Sequence, residues 1–167
     1  TKRAQDDATR GYGQVFDLKT AALRHANAIG PANPHSTHLA QSVILALLSH
    51  QRVRLRSDGS PRKAYLAVQD VCAAYLLLAQ ALLDGRIASG QAWNAGSDET
   101  PSARDVAEQL ADLSERSSVI EFGPPQGTGL DVCDYWQRLD SRRLAALGWA
   151  PRSLKLTLDE TWAWYVQ

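Results

Sequence analysis

The segment Arg24-His25-Ala26-Asn27-Ala28-Ile29-Gly30-Pro31 carries the side chain best suited to meet a ligand. A short apolar strand runs into an Asn, and a Gly-Pro turn follows. An Asn at the carboxyl end of a strand faces the crevice where open α/β sheets hold ligands, and its amide both donates and accepts hydrogen bonds. An Asx turn that shapes the Gly30-Pro31 bend is the other reading of Asn27. Four cations, Arg54, Arg56, Arg62 and Lys63, gather on a predicted strand and the loop after it. They suit a phosphate held by charge-assisted bonds, or equally a solvated basic edge.

Other candidates are weaker. His35 and His38 are close in sequence but lie beside prolines, which reads as a solvated loop rather than a metal site. Glu121 at a strand end and the Asp98-Glu99 pair in a turn have acid or base chemistry, but solvated carboxylates explain them as well. The chain has no Gly-x-Ser-x-Gly elbow, phosphate-cradling Gly-rich loop or paired metal motif, so self-contained hydrolase, kinase and metal-enzyme readings lack support.

Short strands and helices alternate around these residues. The spacing predicts a helix over Lys2 to Phe16, weakened by Gly11 and Gly13, then a strand over Thr20 to Arg24 and a loop over Ala26 to Ser36. Leu39, Val43, Ile44, Leu47 and Leu48 stripe a helix within Thr37 to Ser49. Strands are expected over Arg52 to Arg56, Tyr65 to Val68, Gln91 to Ala95 and Val119 to Phe122. Asp70 to Leu83 is apolar almost all round, which predicts a buried central helix ending at Gly85. Thr100 is the expected cap of the next helix, with Val106, Leu110 and Leu113 inward. Gly123 to Gly129 reads as a loop. Asp140 should cap Ser141 to Leu147. A Thr157/Glu160 capping box should open a last helix whose Leu158, Trp162, Tyr165 and Val166 point inward. The class is therefore α/β.

At 167 residues the chain suits one domain with a real core. Its 18 basic and 18 acidic residues balance, which removes the electrostatic case for nucleic acid or an anionic membrane surface. Cys72 and Cys133 lack metal-ligand spacing, and no apolar run is long enough for a membrane span, so a cytoplasmic protein is expected. The chain contains no Met and opens inside a predicted helix, which suggests part of a longer protein.

The order of these features resembles one family. Thr1 to Arg24, with Tyr12, Phe16 and Leu18, is similar to extended short-chain dehydrogenase/reductases from the Ser/Thr-Lys of their Tyr-x-x-x-Lys helix onward. Arg24-x-x-Asn27-x-Ile29-Gly30-Pro31 resembles the corresponding motif of nucleotide-sugar dehydratases and epimerases. Arg56-Ser57-Asp58-Gly59-Ser60, Tyr65 to Asp70, Trp93-Asn94-x-Gly96, Leu147-Gly148-Trp149-x-Pro151 and Thr161-x-x-Trp164-Tyr165 follow in family order. Ala74 to Gln80 and Gln91 to Asn94 look most like the CDP-glucose 4,6-dehydratases. Each motif is weak alone; the ordered set is specific.

The resemblance implies a partial Rossmann-like fold: the end of the parallel sheet plus the smaller substrate-binding subdomain. Residues 1–167 would form the carboxyl-terminal part, without the amino-terminal dinucleotide-binding half. Lys2 would bind the nicotinamide ribose of NAD and lower the pKa of a catalytic tyrosine lying before Thr1. Asn27 would bond the substrate's diphosphate or sugar. Lys63 stands where the family usually has a phosphate-gripping arginine, His38 and Leu39 match a pair beside the nucleotide, and Arg56 matches a residue lining the base. In such enzymes NAD takes a hydride from C4 of the hexose, water leaves across C5 and C6, and the hydride returns to C6.

The implied parent is an NAD-dependent nucleotide-sugar 4,6-dehydratase, with a nucleotide sugar as partner and a homodimer possible. This chain alone is expected neither to hold NAD nor to turn over. An epimerase or reductase of the same fold is the nearest rival, and a non-catalytic nucleotide-sugar-binding or assembly module is a third reading. Lys63 cannot fork onto a phosphate as arginine does, Ala64 and Ala67 replace an acid and an aromatic or His, and Leu130 falls near a second family arginine.

Overall fold

A computed structural model describes residues 1–114, 120–124 and 136–167. Helix α1 (Lys2–Val15) leads into strands β1 (Ala21–His25) and β2 (Asn27–Ile29), then α2 (Leu39–Leu48) and the short strands β3 (Val53–Arg54), β4 (Arg62–Lys63) and β5 (Tyr65–Ala67). Helix α3 (Val68–Leu83), β6 (Gln91–Ala95), α4 (Ala103–Leu113), β7 (Ile120–Glu121), β8 (Trp136–Gln137), α5 (Arg142–Ala145) and α6 (Leu154–Tyr165) complete the order.

All four named ladders are parallel: β1 with β6, β2 with β5, β3 with β7 and β4 with β8. Parallel partners need crossovers, and the intervening helices supply them, which confirms the α/β class. One core gathers Leu66, Val71, Ala74, Leu78, Trp93, Leu144 and Trp149 around β1, β6 and α3. The other packs Val43, Ile44 and Leu47 of α2 against Val106 and Leu110 of α4 and Leu154 and Leu158 of α6.

Several sequence expectations need correction. The stretch expected as a loop from Ala26 contains β2, because Asn27 to Ile29 find a parallel partner in Tyr65 to Ala67, a pairing that local pattern does not reveal. Strand β3 is shorter than expected, since the Ser57-Asp58-Gly59 turn follows, with Gly59 at φ +83 and Ser60 N–H donating to Asp58 Oδ1 at 3.0 Å. Helix α3 is buried on one face only, leaving Leu76 and Leu83 at 72% and 64% exposure.

Caps also differ. Ser102, rather than Thr100, caps α4 in a reciprocal box with Asp105, and the Ser102 N–H bond holds the Asp105 carboxyl below its usual pKa. Ser153 caps α6 one turn before the expected Thr157. Thr157 instead lies buried inside that helix, and Val166 is exposed rather than inward. Val119, most of the Gly123–Gly129 loop, Leu130 and Cys133 lie outside the described residues.

Among the described residues, no helix is long and apolar enough to cross a membrane, and no group of three His, Cys, Asp or Glu could hold a metal ion.

Candidate functional site

The site begins where the chain changes ladders. Ala26 N–H donates to Ala95 O at 2.8 Å, continuing β1 beside β6, whereas Asn27 N–H donates to Ala64 O at 3.3 Å and starts β2 beside β5. Such a divergence between parallel strands opens a crevice at their carboxyl side. Asn27 is exposed there, its Nδ2 in long contacts with Ala64 O at 3.4 Å and Gln137 Oε1 at 3.3 Å. Gly30 lets the chain turn close to α3: a Cβ at that position would sit 2.4 Å from Val68 Cγ1.

Asn27 lines a cleft of about 290 Å³ with His38, Leu39 and Lys63. His38 is the residue before α2, its ring stacked at 4.9 Å on His35 and its Nδ1 3.2 Å from Asn33 Nδ2. Leu39 opens α2, and Lys63 comes from β4. The floor is formed by the buried Ile29, Ala40, Gln41, Ile44 and Thr161. Tyr65 also lines it, and burial pushes its phenol up to about 12, so the ring stays neutral.

Among the described residues, Lys63 and His38 are the basic side chains of this lining, and no Asp or Glu lines it. A cationic mouth above a neutral floor suits an anionic group joined to an uncharged ring.

The structure thus brings Asn27, His38, Leu39 and Lys63 together, and leaves Arg56 and Lys2 elsewhere. Arg56 is exposed on the loop after β3 and does not line the cleft. Lys2 lines a wider crevice of about 940 Å³ between α1 and β1, with Asp6, Arg10, Arg24 and His25. Most charges there face one another: Arg24 Nη2 lies 2.6 Å from Asp6 Oδ2, and that bond holds the Asp6 carboxyl below its usual range.

A dinucleotide would need a Gly-rich phosphate turn, which the 167 residues do not contain, and the arginines of this crevice are turned to Asp6 and Asp7. The residues described do not by themselves fit NAD. Glu121 is no free base either: Arg52 and Arg54 bind it at 2.6 and 3.0 Å, and the Arg52 bond leads in holding its carboxyl below the usual value. Asp98 pairs with Arg138 at 2.7 Å, and Glu99 accepts Leu154 N–H at 3.1 Å.

Sequence reading missed Gln41, Tyr65 and Thr161 as cleft residues. The available signal for Gln41 was a polar side chain inside the apolar stripe of α2.

Residues 1–96 match the NAD dependent epimerase/dehydratase family. A trifunctional UDP-glucose 4,6-dehydratase/UDP-4-keto-6-deoxy-D-glucose 3,5-epimerase/UDP-4-keto-L-rhamnose-reductase of Arabidopsis thaliana is 27% identical over 172 residues, covering 100% of this chain and 24% of that protein. A UDP-glucose 4-epimerase of Mycolicibacterium smegmatis is 28% identical over 144 residues, covering 84% of this chain and 43% of its own. The chain therefore spans less than half the length of these curated relatives.

Among solved structures, dTDP-glucose 4,6-dehydratase of Bacillus anthracis in complex with NAD superposes at TM-score 0.81 and 22% identity, covering 96% of this chain and 49% of that one. UDP-glucose 4-epimerase of Thermotoga maritima with UDP-glucose gives 0.82 and 21%, covering 99% and 52%. These likenesses show a shared Rossmann-like fold. Sequence match and fold agree, and the chain belongs to the NAD dependent epimerase/dehydratase family.

Proposed function

We propose that the cleft binds a nucleotide sugar, and that the chain is the carboxyl-terminal, substrate-binding part of a nucleotide-sugar 4,6-dehydratase acting on CDP-glucose. One observation carries the binding reading: Lys63, His38 and Asn27 converge on a cleft that, among the described residues, is lined by no carboxylate. A diphosphate is the anion that a nucleotide sugar brings to such a mouth. Lys63 would attract it as a point charge, Asn27 would donate to a phosphate or sugar oxygen, and Leu39 would pack beside the nucleotide.

The chemistry implied by the family requires NAD, which supplies hydride transfer when bound. In this reading Lys2 faces the cofactor side, while the residues of the cleft bind and orient substrate. Arg56 would act from outside the cleft, toward a base that extends past its mouth. Exposed Tyr12, Val15 and Phe16 on α1 support a homodimer of the intact enzyme, in the cytoplasm. A 4-epimerase of the same fold is the second reading, favoured by the similarity to the Mycolicibacterium smegmatis epimerase.

Calorimetric titration with pyrophosphate, CDP-glucose and UDP-glucose tests the binding reading. Measurable affinity for both sugar nucleotides, tighter for CDP-glucose, is expected, and silence at millimolar ligand refutes it. Product analysis on a protein carrying this sequence with its dinucleotide-binding half separates the reactions. A 4-keto-6-deoxy sugar supports the dehydratase, and inversion at C4 supports the epimerase.

A further inference from the structure

Gln41 is buried on the first turn of α2, 5% exposed, on the apolar floor of the cleft. A primary amide is costly to bury unless both ends are bonded, on the order of 1–3 kcal/mol for each unmet group. One end is met: Tyr165 Oη, in the last turn of α6, donates to Gln41 Oε1 at 2.9 Å. With the amide so oriented, its nitrogen is the end left over.

The nitrogen Nε2 meets no acceptor among the described residues, yet it is not sealed in either. The only fully buried side-chain polar atoms without partners there are Arg10 Nε and Trp93 Nε1. Gln41 lines the cleft, which is where a ligand could meet that nitrogen. On the same floor, Thr161 Oγ1 donates to Thr157 O at 2.6 Å, so what Thr161 offers a ligand is its lone pairs. Amide donors and a hydroxyl acceptor thus stand among Ile29, Ala40 and Ile44, below the charged mouth. A floor of this kind recognises an uncharged polar ring rather than a phosphate.

We propose that Gln41 is a specificity-determining contact, its Nε2 donating to an uncharged ring oxygen substituent, carbonyl or hydroxyl, of the ligand whose phosphates occupy the mouth. Tyr165 is a positioning residue that acts through Gln41. This inference rests on the nucleotide-sugar reading of the cleft. It goes beyond that reading by assigning discrimination to a residue on the uncharged side.

The test is calorimetric titration of the whole chain with pyrophosphate, CDP, glucose 1-phosphate and CDP-glucose, for the wild type, Gln41→Met and Tyr165→Phe. Gln41→Met should bind pyrophosphate as the wild type does and bind CDP-glucose about tenfold more weakly. Whichever of CDP or glucose 1-phosphate loses affinity identifies the ring. Tyr165→Phe should weaken the same ligands about threefold with an unchanged circular dichroism spectrum, and it carries the test if Gln41→Met does not fold.

Unchanged affinity for every ligand, or an equal loss for pyrophosphate, overturns the role of Gln41. No heat from any ligand on the wild type sinks the reading of the cleft itself, and the inference with it.

Discussion

The indole N–H of Trp149 donates to the backbone carbonyl of Asp70 at 3.0 Å, joining the turn after α5 to the first turn of α3. The Asp70 carboxylate continues the tie: it accepts the backbone N–H of Arg152 at 2.9 Å and its Nε at 3.0 Å. Arg152 in turn reaches Glu160 on α6 at 2.5 Å. Through these bonds the helix that contributes Thr161 and Tyr165 is set against the element that follows β5.

Replacing Asp70 by Ala should therefore cost about 2–3 kcal/mol, since it strips partners from a backbone N–H and from a half-buried guanidinium. Urea denaturation measures the loss. Ligand affinity should fall as well, because the placement of α6 shapes one side of the cleft.

Two glycines in α1 should respond in opposite directions to the same change. At Gly13 a Cβ would stand 2.1 Å from Thr20 Oγ1 and 2.7 Å from Gly90 N, so Gly13→Ala overpacks the α1–β6 approach. That should destabilise by about 1–2 kcal/mol despite alanine's better helix propensity. Gly11 has nothing within 4 Å, and Gly11→Ala should stabilise by about 0.5–1 kcal/mol. Thermal melts of both variants decide the matter.

Lys63→Ala should weaken pyrophosphate about tenfold and flatten the salt dependence of binding. Lys63→Arg should tighten it about threefold, because a guanidinium can fork onto two phosphate oxygens. Arg56→Ala, outside the cleft lining, should change pyrophosphate affinity less than about twofold. Titrations at two ionic strengths check all three.

Alkaline pH should destabilise the fold through Tyr65. Its folded phenol holds the proton up to about 12 against the ordinary value of 10.0, so between these values the unfolded chain has already lost the proton while the folded one keeps it. Stability from this source is complete below the unfolded value and is lost as pH rises through the folded one, at most about 3 kcal/mol in all. Spectrophotometric titration of wild type against Tyr65→Phe should show one late phenol missing in the variant. If that phenol titrates with the exposed ones, the prediction fails.

Much of the fold was legible because it rests on local rules. Strand β6 occupies the expected Gln91 to Ala95, α1 covers nearly the expected Lys2 to Phe16, and α2 buries Val43, Ile44 and Leu47 of its apolar stripe. What escaped depends on partners far away in sequence. Strand β2 has only three residues, and it is a strand because β5 arrives beside it. The caps at Ser102 and Ser153 lost to nearby Thr100 and Thr157 because each helix start offers several hydroxyls, and only packing selects one.

In the site, Asn27, His38, Leu39 and Lys63 were named from the order of motifs, and they share a cleft. Gln41 was passed over because a polar residue on an apolar face has no local signature of its own. Its meaning depends on Tyr165, at the far end of the chain.

The change of ladders between Ala26 and Asn27 has a mechanical consequence. One residue is stitched to β6 and to the core around Trp93; the next begins β2, whose Ile29 belongs to the core of α2, α4 and α6. A tilt of one core against the other would be borne in part by that peptide, and Asn27 and Lys63 stand beside it. A ligand seated between them acts as a strut across the joint, so its binding should be felt as stiffness in both halves of the molecule, well beyond the atoms it touches.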